Sequence, residues 1–339
     1  MHSKQKIILL IACLFIAFGI CGYAQYVPPQ TADSVIVDVP LFGFEHEGWQ
    51  AMWWNVENLF HPDIDRLNPD HEFTPEGMRR WGYGRYRTKV SQLAQVVANA
   101  GGWHKMDVLG VCEVEDSACV ADLCRALGRD YRAIHYDSPD LRGIDVALVY
   151  RNTCALLQSR AIPTPLSNRR TTRDILYARM VMPTRDTVDW LLCHLPSMRG
   201  GYGYATAQRQ VVVAIMQHTI DSLLSVDNTR QIIVMGDMND EPHNNLHSMH
   251  NMMCEIPTKW NDSVQGSYRY RGIWTYLDQC YLSESLYHRQ SIVRVFAPEY
   301  LLEEDERYLG VRPKRTYIGI RYHGGYSDHL PIILRMDSK

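Results

Sequence analysis

No CxxC pair occurs among the nine cysteines of this 339-residue chain, which argues against a structural zinc knuckle. No GxGxxG follows the first strand-like run, which disfavours a dinucleotide-binding oxidoreductase. Linkers rich in Pro, Gly and Ser, internal repeats and low-complexity tracts are also missing, so nothing in the sequence divides the chain. Nor is there an excess of positive charge, the formal net charge being -3. A non-specific nucleic-acid binder is usually basic. Any grip on a polyanion must therefore rest on local arginines and a metal, and small phosphate esters fit equally well.

The N-terminus reads as a targeting segment. Lys4 and Lys6 precede the apolar run Ile7–Ile20, and Gly22-Tyr23-Ala24 offers small residues for cleavage after Ala24. The run is short for a membrane span. Residues 1–24 are expected to be a signal peptide, and the folded part to be exported to the periplasm or beyond. An uncleaved anchor is the rival reading, and lipidation at Cys21, after a bulky Ile20, is a third. Loss of residues 1–24 removes two lysines and no acid, taking the net charge from -3 to -5. Seven cysteines remain, an odd number, so at least one free or intermolecularly paired thiol is expected. Residues 25–44 read as a lead-in, and 45–337 as a single domain.

Five short segments carry acids, amides and histidines, mostly at the edges of apolar runs: WWNVENLF (53–60), VLGVCEVE (108–115), LLCHLPS (191–197), IIVMGDMND (232–240) and YSDHLPI (326–332). Buried charge is costly unless paired or metal-bound, so these runs point to one shared site. Strands are expected at 50–56, 107–112, 131–135, 144–150, 155–162, 175–182, 188–195, 231–235, 274–282, 291–296 and 330–335. Helices are expected at 86–100, 117–127 and about 205–224, from their apolar period. With so few helices, two stacked sheets with helices outside fit better than one parallel sheet.

Within these segments, Asn55 is suited to orienting a carboxylate or binding a phosphate oxygen. Glu113 ends a strand as a hard-cation ligand should, although Glu115 or Asp116 could serve, or could favour the helix that follows. His194, stopped by Pro196, is suited to donating to a phosphate oxygen. Asp237 and Asn239 can point the same way, Asp237 towards the attacking water or the leaving oxygen and Asn239 towards phosphorus. Asp328 and His329 are adjacent and so point apart. Asp328 suits the metal. His329 needs another carboxylate, for which Asp278 is the best candidate, and the pair could activate water.

The ordered set resembles the endonuclease/exonuclease/phosphatase superfamily, the DNase-I-like fold. Its asparagine after the first strand matches Asn55, its metal-binding glutamate Glu113 (with Cys112 in place of the usual glutamine), and its histidine-bearing strand end His194. GDMN (236–239) matches the GDxN motif, SDH (327–329) the terminal motif, and Asp278 the aspartate that pairs with its histidine. RGIDVALVY (142–150) resembles a segment of bacterial secreted members. The resemblance implies a four-layer α/β sandwich with two central, mainly antiparallel sheets, and hydrolysis of phosphoesters with Mg²⁺ or Mn²⁺. It implies Glu113, Asp328 and Asn55 at the metal, and His194, Asp237, Asn239, Asp278 and His329 in catalysis.

An exported nuclease is the favoured expectation, with nucleic acid as substrate. A small-molecule phosphatase, a sphingomyelinase-like phospholipid phosphodiesterase and an inactive binding protein are the alternatives. Arg173 and Arg199 are candidates to grip phosphate. No organic cofactor is expected, and a monomer is.

Overall fold

The structure is a computed structural model and describes residues 48–63, 71–166, 172–197, 202–242, 249–289 and 291–337. The expected signal peptide and lead-in lie outside these residues, as does Arg199. Strands run in chain order as β1 Gly48–Leu59, β2 Val108–Val114, β3 Tyr131–His135, β4 Asp145–Arg151, β5 Ala155–Ile162, β6 Ile175–Val181, β7 Thr187–His194 and β8 Gln231–Asp237. They continue as β9 Met252–Glu255, β10 Tyr268–Tyr270, β11 Ile273–Thr275, β12 Asp278–Ser283 and β13 Ser291–Val295. The last are β14 Leu302–Glu304, β15 Val311–Pro313, β16 Tyr317–Ile318, β17 Arg321–Tyr322 and β18 Ile332–Asp337. The main helices are α1 Tyr83–Gly101, α2 Ser117–Leu127 and α3 Tyr202–Val226. None of the described helices is long and apolar enough to cross a membrane.

Two six-stranded sheets form the centre, ordered β13-β18-β1-β2-β4-β3 and β5-β6-β7-β8-β12-β9. Pairing is antiparallel except for β1 with β2 and β7 with β8. Each parallel step needs a long connection, and α1 and α3 supply them. α1 and α2 pack together over the first sheet, and α3 covers the second. This gives four layers, as expected.

Strand alternation divides the second sheet into two apolar faces. Ile232 and Val234 of β8, with Leu191 and Cys193 of β7, pack with Val212, Met216 and Ile220 of α3. Ile233 and Met235, with Trp190 and Leu192, belong instead to the core between the sheets. Trp49 of β1 meets Trp190 edge-on at 5.7 Å across that interface. The same period carries the strand ends inward. His194, Asp237 and Asp278 stand two residues on from Leu192, Met235 and two before Cys280, so all three face the first sheet.

Two expected boundaries move. The strand expected at 274–282 is split, because 273–275 pairs with β10 whereas Asp278 begins a strand paired with β8. At the break, the Gln279 amide donates to the Tyr276 carbonyl and the Asp278 N–H to the Ser267 hydroxyl. The first long helix starts at Tyr83, three residues before its apolar period begins, after an extended Gly82.

Gly236 keeps β7 and β8 close. A Cβ there would lie 2.5 Å from the Cys193 carbonyl oxygen and 2.4 Å from its sulfur. Gly236→Ala is expected to cost about 1–3 kcal/mol by overpacking, read as a lower urea midpoint at unchanged slope. An unchanged midpoint would mean that the strand spacing yields freely.

Candidate active site

Strand register assembles the centre. His194 pairs with Asp237 across β7–β8, and Asp237 with Asp278 across β8–β12, so the three form one row across the second sheet. Asn55 pairs with Cys112 across β1–β2 and faces that row from the first sheet. The SDH loop leads into β18 and brings His329. Trp53 and Asn55, two apart on β1, reach Asp278 and Asp237 respectively.

Asp278 is fully buried. Its Oδ1 accepts from Trp53 Nε1 at 2.9 Å, and its Oδ2 lies 2.7 Å from His329 Nδ1. The expected histidine–aspartate pair therefore forms. Asp237 Oδ2 accepts from the Asn55 amide at 3.0 Å, and lies 3.8 Å from His329 Nε2 and 3.6 Å from His194 Nε2. Its Oδ1 accepts from the Asn239 N–H at 3.0 Å. Asp237 thus stands between two imidazoles.

Their charge states differ. For His329, burial works to lower the pKa, but the Asp278 and Asp237 carboxylates outweigh it and raise it to about 10. For His194, burial, then Arg173, Arg142 and His329, hold the imidazole well below its ordinary value and so neutral. Burial raises Asp237 to about 7, with His329 opposing and Asp278 assisting. A protonated His329 is poorly matched to the water-activating part expected of it. Asp237 titrates where a base at neutral pH should.

Beside this row lies a group of carboxylates and cations. Glu113 lies within the register shift of β2, between Cys112 and Val114, and has a left-handed φ of 63°, so it breaks the strand alternation. Its Oε2 accepts from the Asn58 N–H at 3.0 Å, and its Oε1 lies 3.4 Å from Arg142. Asp328 is paired with Arg315. Burial works to raise Asp328, but Arg315 and then His329 outweigh it and hold the carboxyl below its ordinary value. Glu57 accepts from the Thr316 N–H at 2.7 Å, and burial, then Asp328, raise it to about 7. Buried Lys89 donates to the Thr316 hydroxyl and the Tyr326 carbonyl. Burial lowers its pKa to about 8, while Glu57, Asp328 and Glu113 all act to raise it. Three carboxylates thus gather round one ammonium. Their hard oxygens are of the type a divalent cation takes.

The other expected residues are placed by their own contacts. Asn55 donates its side-chain amide to Asp237, the carboxylate-orienting part expected of it, and its Oδ1 accepts from the Glu57 N–H at 3.0 Å. Asn239 donates to the Leu195 carbonyl at 2.9 Å, tying the two loops together. Arg173 is buried, and protein groups take up its guanidinium. Its guanidinium binds Asp140 at 3.0 Å and the carbonyls of His194 and Leu195, and so holds the end of β7. Glu115 accepts from the His61 N–H, and Asp116 caps α2 through the Cys119 N–H at 2.8 Å, the helix-starting part also expected of it.

Sequence reasoning missed Trp53, Glu57, Lys89, Arg142 and Arg315 as site groups. Arg142 had a signal, since it opens the quoted RGIDVALVY segment. Lys89 and Arg315 had none, because their partners are distant in sequence. Four site residues, Glu57, Asn58, Glu113 and Asn239, have positive φ without being glycine. Each such conformation stores about 1–3 kcal/mol.

The profile of the Endonuclease/Exonuclease/phosphatase family matches residues 51–338. Among solved structures, a Bacteroides thetaiotaomicron protein of that family aligns with a TM-score of 0.57 at 14% identity, covering 86% of this chain and 98% of that one. Truncated Caenorhabditis elegans TDP2 aligns at 0.55 and 15% identity, covering 85% and 97%. A mannosyl-6-phosphatase of B. thetaiotaomicron aligns at 0.55 and 14%, covering 85% and 99%. At these identities the likeness carries the fold, a DNase-I-like α/β sandwich. No curated protein matches the chain significantly.

The His329 pair sets a pH dependence. Its folded pKa of about 10 lies above the ordinary 6.5, so between these values the folded chain holds the extra proton. The stability this contributes is fully present below about pH 6.5 and is lost towards pH 10, at up to ~1.4 kcal/mol per pH unit. Urea midpoints measured from pH 6.5 to 9.5 should fall with that sign, and Asp278→Asn should flatten the slope. A slope unchanged in Asp278→Asn would assign it to another group.

Proposed function

This chain belongs to the endonuclease/exonuclease/phosphatase family, and from that premise we propose that it is an exported, divalent-metal-dependent phosphodiesterase with nucleic acid as its favoured substrate. The hydrolysis of phosphoesters is the family's chemistry. The ion, the diester and the polymer are our reading. The observation that carries it is the Asp237 carboxylate, 3.6 Å from His194 Nε2 and 3.8 Å from His329 Nε2 where the two sheets face each other.

Asp237 accepts the proton of the attacking water. His329 and His194 donate to the non-bridging oxygens as charge builds on them. This takes the second of the two expected assignments, Asp237 as base, over the first, in which His329 with Asp278 takes the proton. Asp278 instead keeps His329 charged and oriented, and Asn55 orients Asp237. Glu113, Asp328 and Glu57 would hold Mg²⁺ or Mn²⁺, which when bound neutralises charge on the phosphate and the leaving group. Arg142 and Arg315 are each about one-third exposed, and they take the phosphate contacts first expected of Arg173.

Support for a nucleic-acid substrate comes from the β10–β11 hairpin. The Tyr268 ring lies 4.7 Å from His329, and exposed Tyr270 and Arg271 stand at the hairpin tip. Aromatic faces beside cations suit stacked bases. The basic, apolar and small-residue pattern of residues 1–24 supports export.

The test is hydrolysis by the purified chain with Mg²⁺, Mn²⁺ or EDTA. Its substrates are supercoiled plasmid, RNA, a chromogenic phosphodiester, inositol phosphates, a sugar phosphate and sphingomyelin. Metal-dependent nicking, abolished by EDTA, is expected. Asp237→Asn and His329→Ala should each lower kcat by about 10²–10⁴-fold. Intact nucleic acid with turnover of a small ester would replace the substrate class. Absence of turnover throughout would leave a binding protein, and full activity in Asp237→Asn would end its assignment as base.

A further inference from the structure

A second donor set shares this centre and has a different chemistry. The Cys112 thiol, one His194 nitrogen and one Asp237 carboxylate oxygen all lie within 4.8 Å of one another, and all three residues are buried. Cys112 reaches this point because it is in register with Asn55 and shares its inward direction. His194 and Asp237 come to it in register from the other sheet.

Two details bear on the set, one for each ring nitrogen of His194. His194 Nδ1 is buried and, among the described residues, has no hydrogen-bond partner. Buried polar nitrogens are rarely left so. His194 Nε2 stands 3.6 Å from Asp237 Oδ2, beyond a hydrogen bond. Two nitrogen or oxygen ligands of one tetrahedral zinc, each at about 2.0–2.1 Å, stand roughly 3.3 Å apart. The neighbouring Asp237, Asp278 and His329 group fails that comparison. Its closest pair is 2.7 Å apart, too close for two ligands of one ion and right for a hydrogen bond.

We propose that Cys112, His194 and Asp237 form a site for a thiophilic divalent ion of the zinc type, which occupies the reaction centre and holds the enzyme inactive. A thiolate and an imidazole select zinc over Mg²⁺, which prefers oxygen ligands. On binding, the Cys112 S–H bond breaks and its proton passes to solvent. A metal–sulfur bond forms, and no group is oxidised or reduced. Water fills the fourth position. The ion engages Asp237 and His194 together, removing the base and one donor. The inhibitory half of this proposal rests on the function proposed above, whereas the binding half does not.

The test uses Co²⁺ as a spectroscopic probe on the purified chain. A thiolate-to-cobalt charge-transfer band in the near ultraviolet, saturating at one ion per chain and displaced by Zn²⁺, is expected. The band should vanish in Cys112→Ser and Cys112→Ala, each checked for folding by its thermal melt. It should persist in Cys254→Ser, which alters a half-buried thiol in β9 of the second sheet. Zinc affinity, read by competition with a chromophoric chelator, should fall in the Cys112 variants by more than about 100-fold, beyond the effect of losing an outer partner of a ligand. No band in the wild type, or a band retained in a folded Cys112 variant, overturns the site whatever the activity. A band with no loss of Mg²⁺-supported hydrolysis on adding stoichiometric Zn²⁺ overturns the inhibitory half alone.

Discussion

A buried carboxylate must be compensated by charge or hydrogen bonds, and Asp278 sets that demand at the point where the two sheets meet. It belongs to the second sheet, yet both of its partners come from the first: Trp53 from β1 and His329 from the loop entering β18. Left without either, it would be an uncompensated group in the core, at a cost of several kcal/mol. The sheets are therefore held in one relative position by polar contacts as well as apolar packing. The position of His329 over Asp237 follows from the same contacts. Ser327 strengthens the arrangement, donating to the Asn55 carbonyl and accepting from the His329 N–H, while Trp54 binds the His329 carbonyl.

The mouth of the site is organised by a second set of buried charges. Lys89 enters from α1, Glu57 from the end of β1, and Arg315 and Asp328 from the segment between β15 and β18. Helix, strand end and loop are thereby joined into one electrostatic unit. The positive φ values of Glu57, Asn58 and Glu113 are the local consequence, since each turns a chain direction that strand alternation alone would have sent elsewhere. Such strain persists only where the surroundings hold it in place, and here the Glu57–Thr316 and Glu113–Asn58 hydrogen bonds do so.

These two networks divide the chemistry. The inner row controls protons: one imidazole neutral, one charged, and a carboxylate between them titrating near neutrality. The outer group gathers hard oxygen donors and guanidinium groups, suited to a cation and to phosphate. Cys112 belongs to the inner row by geometry but to a softer chemistry. A phosphoester hydrolase needs the first two functions close together yet distinct, and the facing ends of two sheets supply that separation.

The elements themselves were legible in the sequence. The apolar runs around 108–112, 188–193 and 231–235 mark buried strands, and the periods at 86–100 and 205–224 mark helices. The motif segments named His194, Asp237 and His329, the need of His329 for a carboxylate named Asp278, and these do converge. What the sequence determined by itself is what nearest neighbours along the chain decide: which runs are strands, which face of each is apolar, and which polar groups stand at their ends. Only the tertiary structure decided that Arg173 clamps a strand end, that Asp237 is the carboxylate Asn55 serves, that Lys89 and Arg315 belong to the site, and that the Asp278 and Asp237 carboxylates raise the pKa of His329. Those outcomes depend on burial and on groups distant in the chain, such as Asn55 and Asp237, which are 182 positions apart. A local pattern carries no measure of the electric field at a point where two sheets meet.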